Sequence, residues 1–184
     1  MKISIGESYP NHLKPIAWLT KKVEGVEYSH CFISWKDNIG LRWVAEARGS
    51  GLQIISNVEF KQENNIINIY EYECDEEQYK KAMTYVWQES HKEYSKRQIA
   101  GLLWMRLANR FARALCWEKR FQNPFRDGPY SQICCEFAIN TLTTAMGIEI
   151  PGDVENYGLI ETRRLNEKYG LKLEQAIIDR INGK

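Results

Sequence analysis

The sequence lacks the features that would place it in a membrane, in an export pathway or on a nucleic acid. No apolar run approaches the ~18 residues that span a bilayer. The N-terminal "MKISIGESYP" lacks the charged, apolar and small-residue regions that follow one another in a signal peptide. Lys and Arg total 25 against 24 Asp and Glu, so the formal net charge of +1 offers nothing to attract nucleic acid. We therefore expect a cytoplasmic protein with no nucleic-acid partner.

Metal-binding and disulfide patterns are also scarce. There is no Cys-x-x-Cys pair and no histidine pair at ligand spacing, so the sequence predicts neither a metal site nor a cofactor. Five cysteines are an odd number without the spacing of a small disulfide-rich domain, and we expect free thiols. They are Cys31, Cys74, Cys116, Cys134 and Cys135.

The order of apolar patterns predicts a single α+β domain over residues 1–184, with an antiparallel sheet packed against helices. Short runs rich in β-branched and aromatic residues predict strands at 16–19, 30–35, 41–47, 52–56 and 66–72. Apolar residues at helical spacing then predict helices at about 75–91, 96–118 and 131–146. The segment 123–129, with two prolines and a glycine, is typical of a loop.

Two adjacent thiols stand at the predicted start of the third helix. With Ser131 as N-cap, Cys134 and Cys135 fall in the first turn, where amide groups and the helix dipole favour a thiolate. Cys134 heads an apolar stripe with Phe137 and Ala138, whereas Cys135 begins a neighbouring stripe. Taken alone, such cysteines are more often packed than catalytic, so a base is needed to favour catalysis.

His30 is the best candidate for that base, because His12 lies in a polar loop and His91 at the polar end of a helix. His30 begins an apolar strand that "DNIG" (37–40) turns back on the next strand. A loop centred on Asn38 places His30 directly opposite Glu46, whereas a one-residue slip moves Glu46 to the other face.

We favour the register in which His30 lies opposite Glu46. Phe32 and Val44 then share the face of His30 and lie under the third predicted helix, which carries Cys134. Glu46 could then accept a hydrogen bond from the imidazole while the other ring nitrogen faces Cys134. This arrangement favours a thiolate–imidazolium pair and would lower the pKa of the Cys134 thiol.

Several short motifs, in this order, resemble the circularly permuted papain-like hydrolases, the NlpC-type branch of YiiX-like and lecithin retinol acyltransferase-like proteins. "YSHCFI" is similar to the family's His-led strand and "WVAEARGSGLQI" to the strand after it. "EYSKRQIAGLL" is similar to a Tyr-Asp-x-x-Gly-Leu helix entry, with Ser95 at the Asp position, and "ICCEFAINTL" to the nucleophile helix. "IEIPGDVEN" is similar to a later Pro-x-Asp segment.

The resemblance implies a permuted papain-like fold with a helical insertion at about 104–128. It implies Cys134 as nucleophile, His30 as base, Glu46 as the residue that orients the imidazole, and Tyr94 and Cys135 in substrate binding. The implied activity is cleavage of an amide in a peptide or cell-wall peptide through a thioester; the alternative is a lipid acyl ester, hydrolysed or transferred. The expected partners are thus a peptide, a peptidoglycan fragment or an acyl lipid, and a phage-encoded hydrolase acting in the host cell or carried in the virion is a further possibility.

The segment 104–120 combines an apolar face with several arginines and lysines. Such a helix can lie on a membrane surface, but we favour a core-packing helix with a solvated basic face. A non-catalytic binding module on the same scaffold, or a membrane-associated interaction protein that uses this helix, remain the alternatives to an enzyme.

Overall fold

The computed structural model describes residues 1–12, 14–90, 92–118, 120–125 and 131–183, and for Ser131 the backbone alone. Two sheets are present among these residues. The strands of the larger sheet are β1 (Lys2–Pro10), β2 (His30–Lys36), β3 (Arg42–Arg48), β4 (Gly51–Ser56), β5 (Asn64–Glu73) and β8 (Leu171–Lys172). Their order is β4-β3-β2-β1-β5-β8, and every neighbouring pair is antiparallel. The smaller sheet is a parallel pair, β6 (Glu93–Tyr94) and β7 (Ser131–Gln132).

Seven α-helices lie in the described part of the chain, which confirms the α+β class. They are α1 (Pro15–Glu24), α2 (Asn57–Glu63), α3 (Glu76–Glu89), α4 (Lys96–Ala114), α5 (Cys134–Met146), α6 (Leu159–Tyr169) and α7 (Gln175–Asn182). The three helices predicted from periodicity correspond to α3, α4 and α5.

Both faces of the larger sheet are covered. On one face, α3 and α5 pack against Cys31, Ile33 and Ala45 in the main core. On the other face, α2 and α7 pack against Phe32 and Val44. Because each strand of the hairpin has apolar residues on both faces, β2 and β3 lie in the interior.

The sequence predicted neither the helices α2, α6 and α7 nor the short strands β6, β7 and β8, and two longer elements also differ from the prediction. The run at 16–19, predicted as a strand, lies in α1; a short apolar run does not distinguish helix from strand, and Pro15 at the first helical turn indicates a helix start. The prediction also missed β1, which lies between β2 and β5 in the sheet. Its Gly6, Ser8 and Pro10 weaken the local strand pattern, and its long-range pairing supplies the stability.

The small sheet brings the starts of α4 and α5 together. The backbone N–H of Ser95 donates to the carbonyl of Gln132 at 3.2 Å, and the Ser95 hydroxyl accepts from the N–H of Gln98 at 3.0 Å to cap α4. The prediction of Ser131 as N-cap is wrong, because residues 131–132 pair as a strand and Ile133 occupies the cap position of α5. Cys134 is thus the first residue of its helix.

The segment proposed as an insertion does not begin a new element. Residue 104 lies within α4, which is continuous from Lys96 to Ala114. Residues 123–125 are neither helix nor strand, in line with the predicted loop, and the rest of that prediction, 126–129, falls outside the described residues.

Candidate active site

His30 and Glu46 form a hydrogen-bonded pair at one end of the sheet. Nε2 of His30, the first residue of β2, lies 2.7 Å from Oε2 of Glu46 in β3. The Glu46 side chain is fully buried, and 14% of the His30 side chain is exposed. The structure therefore brings together the imidazole and the carboxylate that the sequence pattern pointed to.

The register that achieves this pairing differs from the predicted one by two residues. Ile33 pairs with Ala45 and Lys36 with Arg42, so the hairpin is centred on Ile39 rather than Asn38. His30 and Glu46 are therefore diagonal neighbours and not directly opposite. A shift of two residues preserves the face, whereas a shift of one reverses it, so the predicted shared face holds although the register was wrong.

The predicted position of the nucleophile helix was also wrong. It was expected over Phe32 and Val44, but those residues pack on α2 and α7, and α5 covers the opposite face. The contact between His30 and α5 is made at the end of the sheet, where His30 begins its strand.

Two further side chains hold Glu46 in place, and sequence reasoning missed both. Nε2 of Gln53 donates to Oε1 of Glu46 at 3.0 Å, and Nη1 of Arg48 lies 3.6 Å from the same oxygen. Burial by itself raises the pKa of Glu46, but His30, Gln53 and Arg48 together bring it below its ordinary value. Glu46 is therefore a carboxylate at neutral pH.

The Cys134 thiol is the second neighbour of the His30 ring. Burial lowers the pKa of His30, whereas a thiolate on Cys134 and the Glu46 carboxylate raise it, and the balance lies at about 10. The thiolate is the strongest cause that favours the imidazolium, so the titrations of Cys134 and His30 are coupled: a charge on one group favours the opposite charge on the other. With Nε2 directed at Glu46, Nδ1 is the ring nitrogen left for the sulfur.

The predicted lowering of the thiol pKa is wrong. The hydrogen bond with Cys135 and burial raise the pKa of Cys134 well above its ordinary value, although His30 acts in the opposite direction. Only 5% of Cys134 is exposed, so burial adds to the effect of Cys135 on the thiol pKa. Its resting form at neutral pH is therefore the thiol.

Cys135 continues a chain of three buried sulfur atoms. Its Sγ lies 4.0 Å from that of Cys134 and 3.9 Å from that of Cys31. The contact with Cys134 lowers the pKa of Cys135, but Cys31 and burial raise it by more. The pKa of Cys135 therefore lies well above its ordinary value. Cys135 lines the same cavity as Cys134, and its contact with Cys31 had no signal in the sequence because the two residues are far apart along the chain.

Tyr94, which the resemblance implied in substrate binding, lies beside the thiols. Burial raises the pKa of Tyr94 well above its ordinary value, and negative charge on Cys134, Cys135 or Glu46 would raise it further. Its hydroxyl therefore stays protonated and can donate a hydrogen bond. Tyr94 is half-buried and lines the cavity.

A cavity of about 340 Å³ opens beside Cys134, His30, Glu46 and Tyr94. Most of its wall is apolar and comes from α1 and α4: Pro15, Ile16, Ala17, Ile99, Leu102 and Leu103. Two buried polar atoms on its lining residues, Oε2 of Glu24 and Oγ of Ser29, have no hydrogen-bond partner in the described chain. A ligand in this cavity would meet apolar walls, a few polar groups and a thiol.

His12 does not contribute to this site. His12 is exposed in a bend after β1, and the prediction for His91 falls outside the described residues. Among the described side chains there is no group of three or more potential ligands that could hold a metal ion. No described helix is long and apolar enough to cross a bilayer.

No protein-family model matches the chain, and no curated protein is similar to it at a significant level.

Proposed function

We propose that this protein is a cysteine hydrolase of the circularly permuted papain-like fold, cleaving an ester or amide through a thioester intermediate. The proposal is carried by one observation: the thiol of Cys134, the imidazole of His30 and the buried carboxylate of Glu46 lie next to one another at the wall of an apolar cavity. These are the parts of a thiol nucleophile site: nucleophile, base, and the group that orients the base.

The reaction starts from the form in which Cys134 and His30 together have lost one proton, with a neutral thiol beside a neutral imidazole. Because the pKa values of both groups are raised, the population of this form increases as the pH rises above neutrality. As Sγ of Cys134 attacks the substrate carbonyl carbon, its proton passes to Nδ1 of His30, and Glu46 stabilises the resulting imidazolium at Nε2. His30 then gives this proton to the leaving alcohol or amine, which leaves a thioester on Cys134. Water, deprotonated by His30, attacks the thioester and releases the carboxylic acid and the thiol.

Two groups are placed to stabilise the tetrahedral oxyanion. No side chain caps the first turn of α5, which leaves the backbone N–H of Cys134 to donate to an oxyanion. The neutral hydroxyl of Tyr94 is a second donor in the same cavity. This gives Tyr94 a role in substrate binding.

The apolar walls favour an acyl chain as the part of the substrate that enters the cavity. A lipid acyl ester is thus the better supported of the two substrate classes implied by the sequence. The peptide or cell-wall amide is the second candidate, because the unpartnered Glu24 Oε2 and Ser29 Oγ suit a substrate with hydrogen-bonding groups.

The test is the formation of a covalent acyl-enzyme. The exposed Cys116 would react with any electrophile, so we would use a Cys116→Asn background; asparagine tolerates the left-handed backbone of this residue, with φ of 53°. We expect p-nitrophenyl octanoate to react faster than the acetate and to leave an acyl group on Cys134, visible by intact-protein mass spectrometry. A peptide p-nitroanilide, turned over in preference to both esters, would favour the amide instead.

Cys134→Ala should form no adduct with either substrate, and a retained adduct would contradict the assignment. A protein that binds the octanoate product but acylates no cysteine is a binding module rather than an enzyme.

A further inference from the structure

A second cavity, of about 450 Å³, lies along the C-terminal half of α4, between residues 120–122 and the start of α6. Five arginines and a single glutamate line it: Arg106, Arg110, Arg113, Arg120, Arg164 and Glu161. The arginines come from three separate parts of the chain, so the fold and not a local run of sequence assembles them. The formal net charge of the whole protein is only +1, which makes this concentration of one sign a local feature.

The single glutamate is already paired, and so is one of the arginines. Arg106 donates through Nε to Oε1 of Glu24 at 3.0 Å and through Nη2 to Glu161. Arg110 donates to the backbone carbonyl of Val23 at 2.5 Å, which leaves its charge uncompensated.

The other three arginines, Arg113, Arg120 and Arg164, are exposed and form no ion pair with any described residue. Like charges converging on one cavity repel each other unless an anion lies between them.

The segment that carries Arg120 is held against α4. The backbone N–H of Phe121 donates to Oδ1 of Asn109 at 2.8 Å, and Nδ2 of Asn109 donates to the Phe121 carbonyl at 2.9 Å. The Phe121 ring packs edge-on against Trp104 and Trp117, with ring centroids 5.5 Å and 6.2 Å apart. The chain turns back towards α4 after Cys116. Arg120 is therefore positioned by the fold.

We propose that this cavity binds the phosphate group of an anionic ligand, either a soluble organic phosphate or a phospholipid headgroup. The planar guanidinium presents paired N–H donors that match phosphate oxygens, and several such groups around one cavity suit a multiply charged anion. The ion-paired cluster of Glu24, Arg106 and Glu161 separates this cavity from the one at Cys134. The proposal thus stands whether or not Cys134 is a catalytic residue.

The test compares a double variant with a matched control. Arg113→Gln with Arg164→Gln removes two charges that have no partner among the described residues, so the fold should tolerate it. Arg97→Gln removes an equally exposed arginine from the N-terminal turn of the same helix, about 20 Å from Arg110 at 1.5 Å per residue. Binding of glycerol 3-phosphate is measured by calorimetry, and binding to phosphatidylglycerol vesicles, against phosphatidylcholine vesicles, by co-sedimentation.

We expect the double variant to weaken binding by at least about tenfold, because charge-assisted hydrogen bonds to the anion are lost, and Arg97→Gln to change it less than about twofold. Loss of glycerol 3-phosphate binding identifies a soluble ligand, whereas a loss seen only with phosphatidylglycerol identifies a lipid headgroup. Either result supports the site. Equal losses in the double variant and in Arg97→Gln, or binding of neither probe by the wild-type protein, would overturn it.

Discussion

The structure contains two fully buried glutamates with different partners. Glu46 pairs with His30 at the wall of the cavity, whereas Glu7 pairs with Arg163 of α6 at 2.8 Å and accepts from Asn68 at 2.6 Å. An arginine keeps its charge over the whole physiological pH range, so the Glu7 pair is a fixed structural element. A histidine can gain and lose a proton, and the Glu46 pair lies beside a thiol. The difference separates a buried pair that stabilises the fold from one that can take part in chemistry.

The surroundings of the two pairs support this separation. Arg163 also binds Glu27 at 2.7 Å and lies over the ring of Tyr28, 4.5 Å from its centroid, and neither glutamate lines the cavity at Cys134. The Glu46 pair is open on one side to that cavity. Removal of each pair should therefore affect different properties of the protein.

The largest effect on stability should come from Arg163→Met. It leaves the Glu7 carboxylate buried with Asn68 as its hydrogen-bond donor, and removing one partner of a buried pair typically costs about 3 to 5 kcal/mol. Urea unfolding measures this loss. Arg164→Met, the neighbouring residue on α6, is exposed and is the matched control, with an expected change within ~0.5 kcal/mol. A loss in Arg163→Met no greater than that of the control would remove the distinction between the pairs.

A smaller effect on stability, but a specific effect on the thiol, should come from Glu46→Gln. The variant keeps the shape of the side chain and removes the charge that stabilises a protonated His30. We expect the alkylation rate of Cys134 to fall on the order of tenfold, the change that one pKa unit produces. Undiminished thiol reactivity in Glu46→Gln would leave a Cys-His dyad as the site.

The two pairs should also differ in pH dependence. The pKa of His30 is raised from 6.5 to about 10 in the folded protein, so the folded state holds its proton more tightly than the unfolded state. The stabilisation from this pair is fully present below pH 6.5 and is lost as the pH rises towards about 10. Urea unfolding of the wild type between pH 6.5 and 10 should show this decline, with a smaller decline in His30→Gln. Equal declines in both proteins would show that His30 is not responsible.

The smallest effect should come from Cys135→Ser. Cys135 packs against Cys31 and Cys134, and a serine hydroxyl fills most of the same space. We expect the labelling rate of Cys134 to stay within about twofold, or to rise, because Cys135 is the first cause of the raised pKa of Cys134. Loss of labelling in this variant would indicate a site that requires both thiols.

Local sequence patterns predicted which residues share a face of a strand or a helix, because that depends only on the spacing of residues along the chain. The two-residue repeat of strands placed His30 and Glu46 on one face, and this survives a register error of two residues. The helical repeat placed Cys134 on a buried stripe with Phe137 and Ala138, which are fully buried. The order of the motifs, more than any one motif, indicated these residues.

Features assembled from distant parts of the chain could not be predicted in the same way. Gln53 supports Glu46 because β3 and β4 pair with a particular register, and Cys31 meets Cys135 across 104 residues. The arginine-lined cavity combines α4, residues 120–122 and α6. Burial of Cys134, which raises its thiol pKa, is likewise a result of tertiary packing and not of its position at a helix start.

Site-resolved alkylation shows whether Cys134, His30 and Glu46 act as one chemical unit at the apolar cavity. In the Cys116→Asn background, the protein is treated with limiting N-octyl iodoacetamide from pH 6 to 10, and the four remaining cysteines are quantified by peptide mass spectrometry. We expect Cys134 to be modified before Cys31, Cys74 and Cys135. Its rate should rise with pH above neutrality, because the thiol pKa is raised, and should fall at least about tenfold in His30→Gln. Modification of another cysteine first, or a Cys134 rate that does not depend on His30, would contradict this expectation.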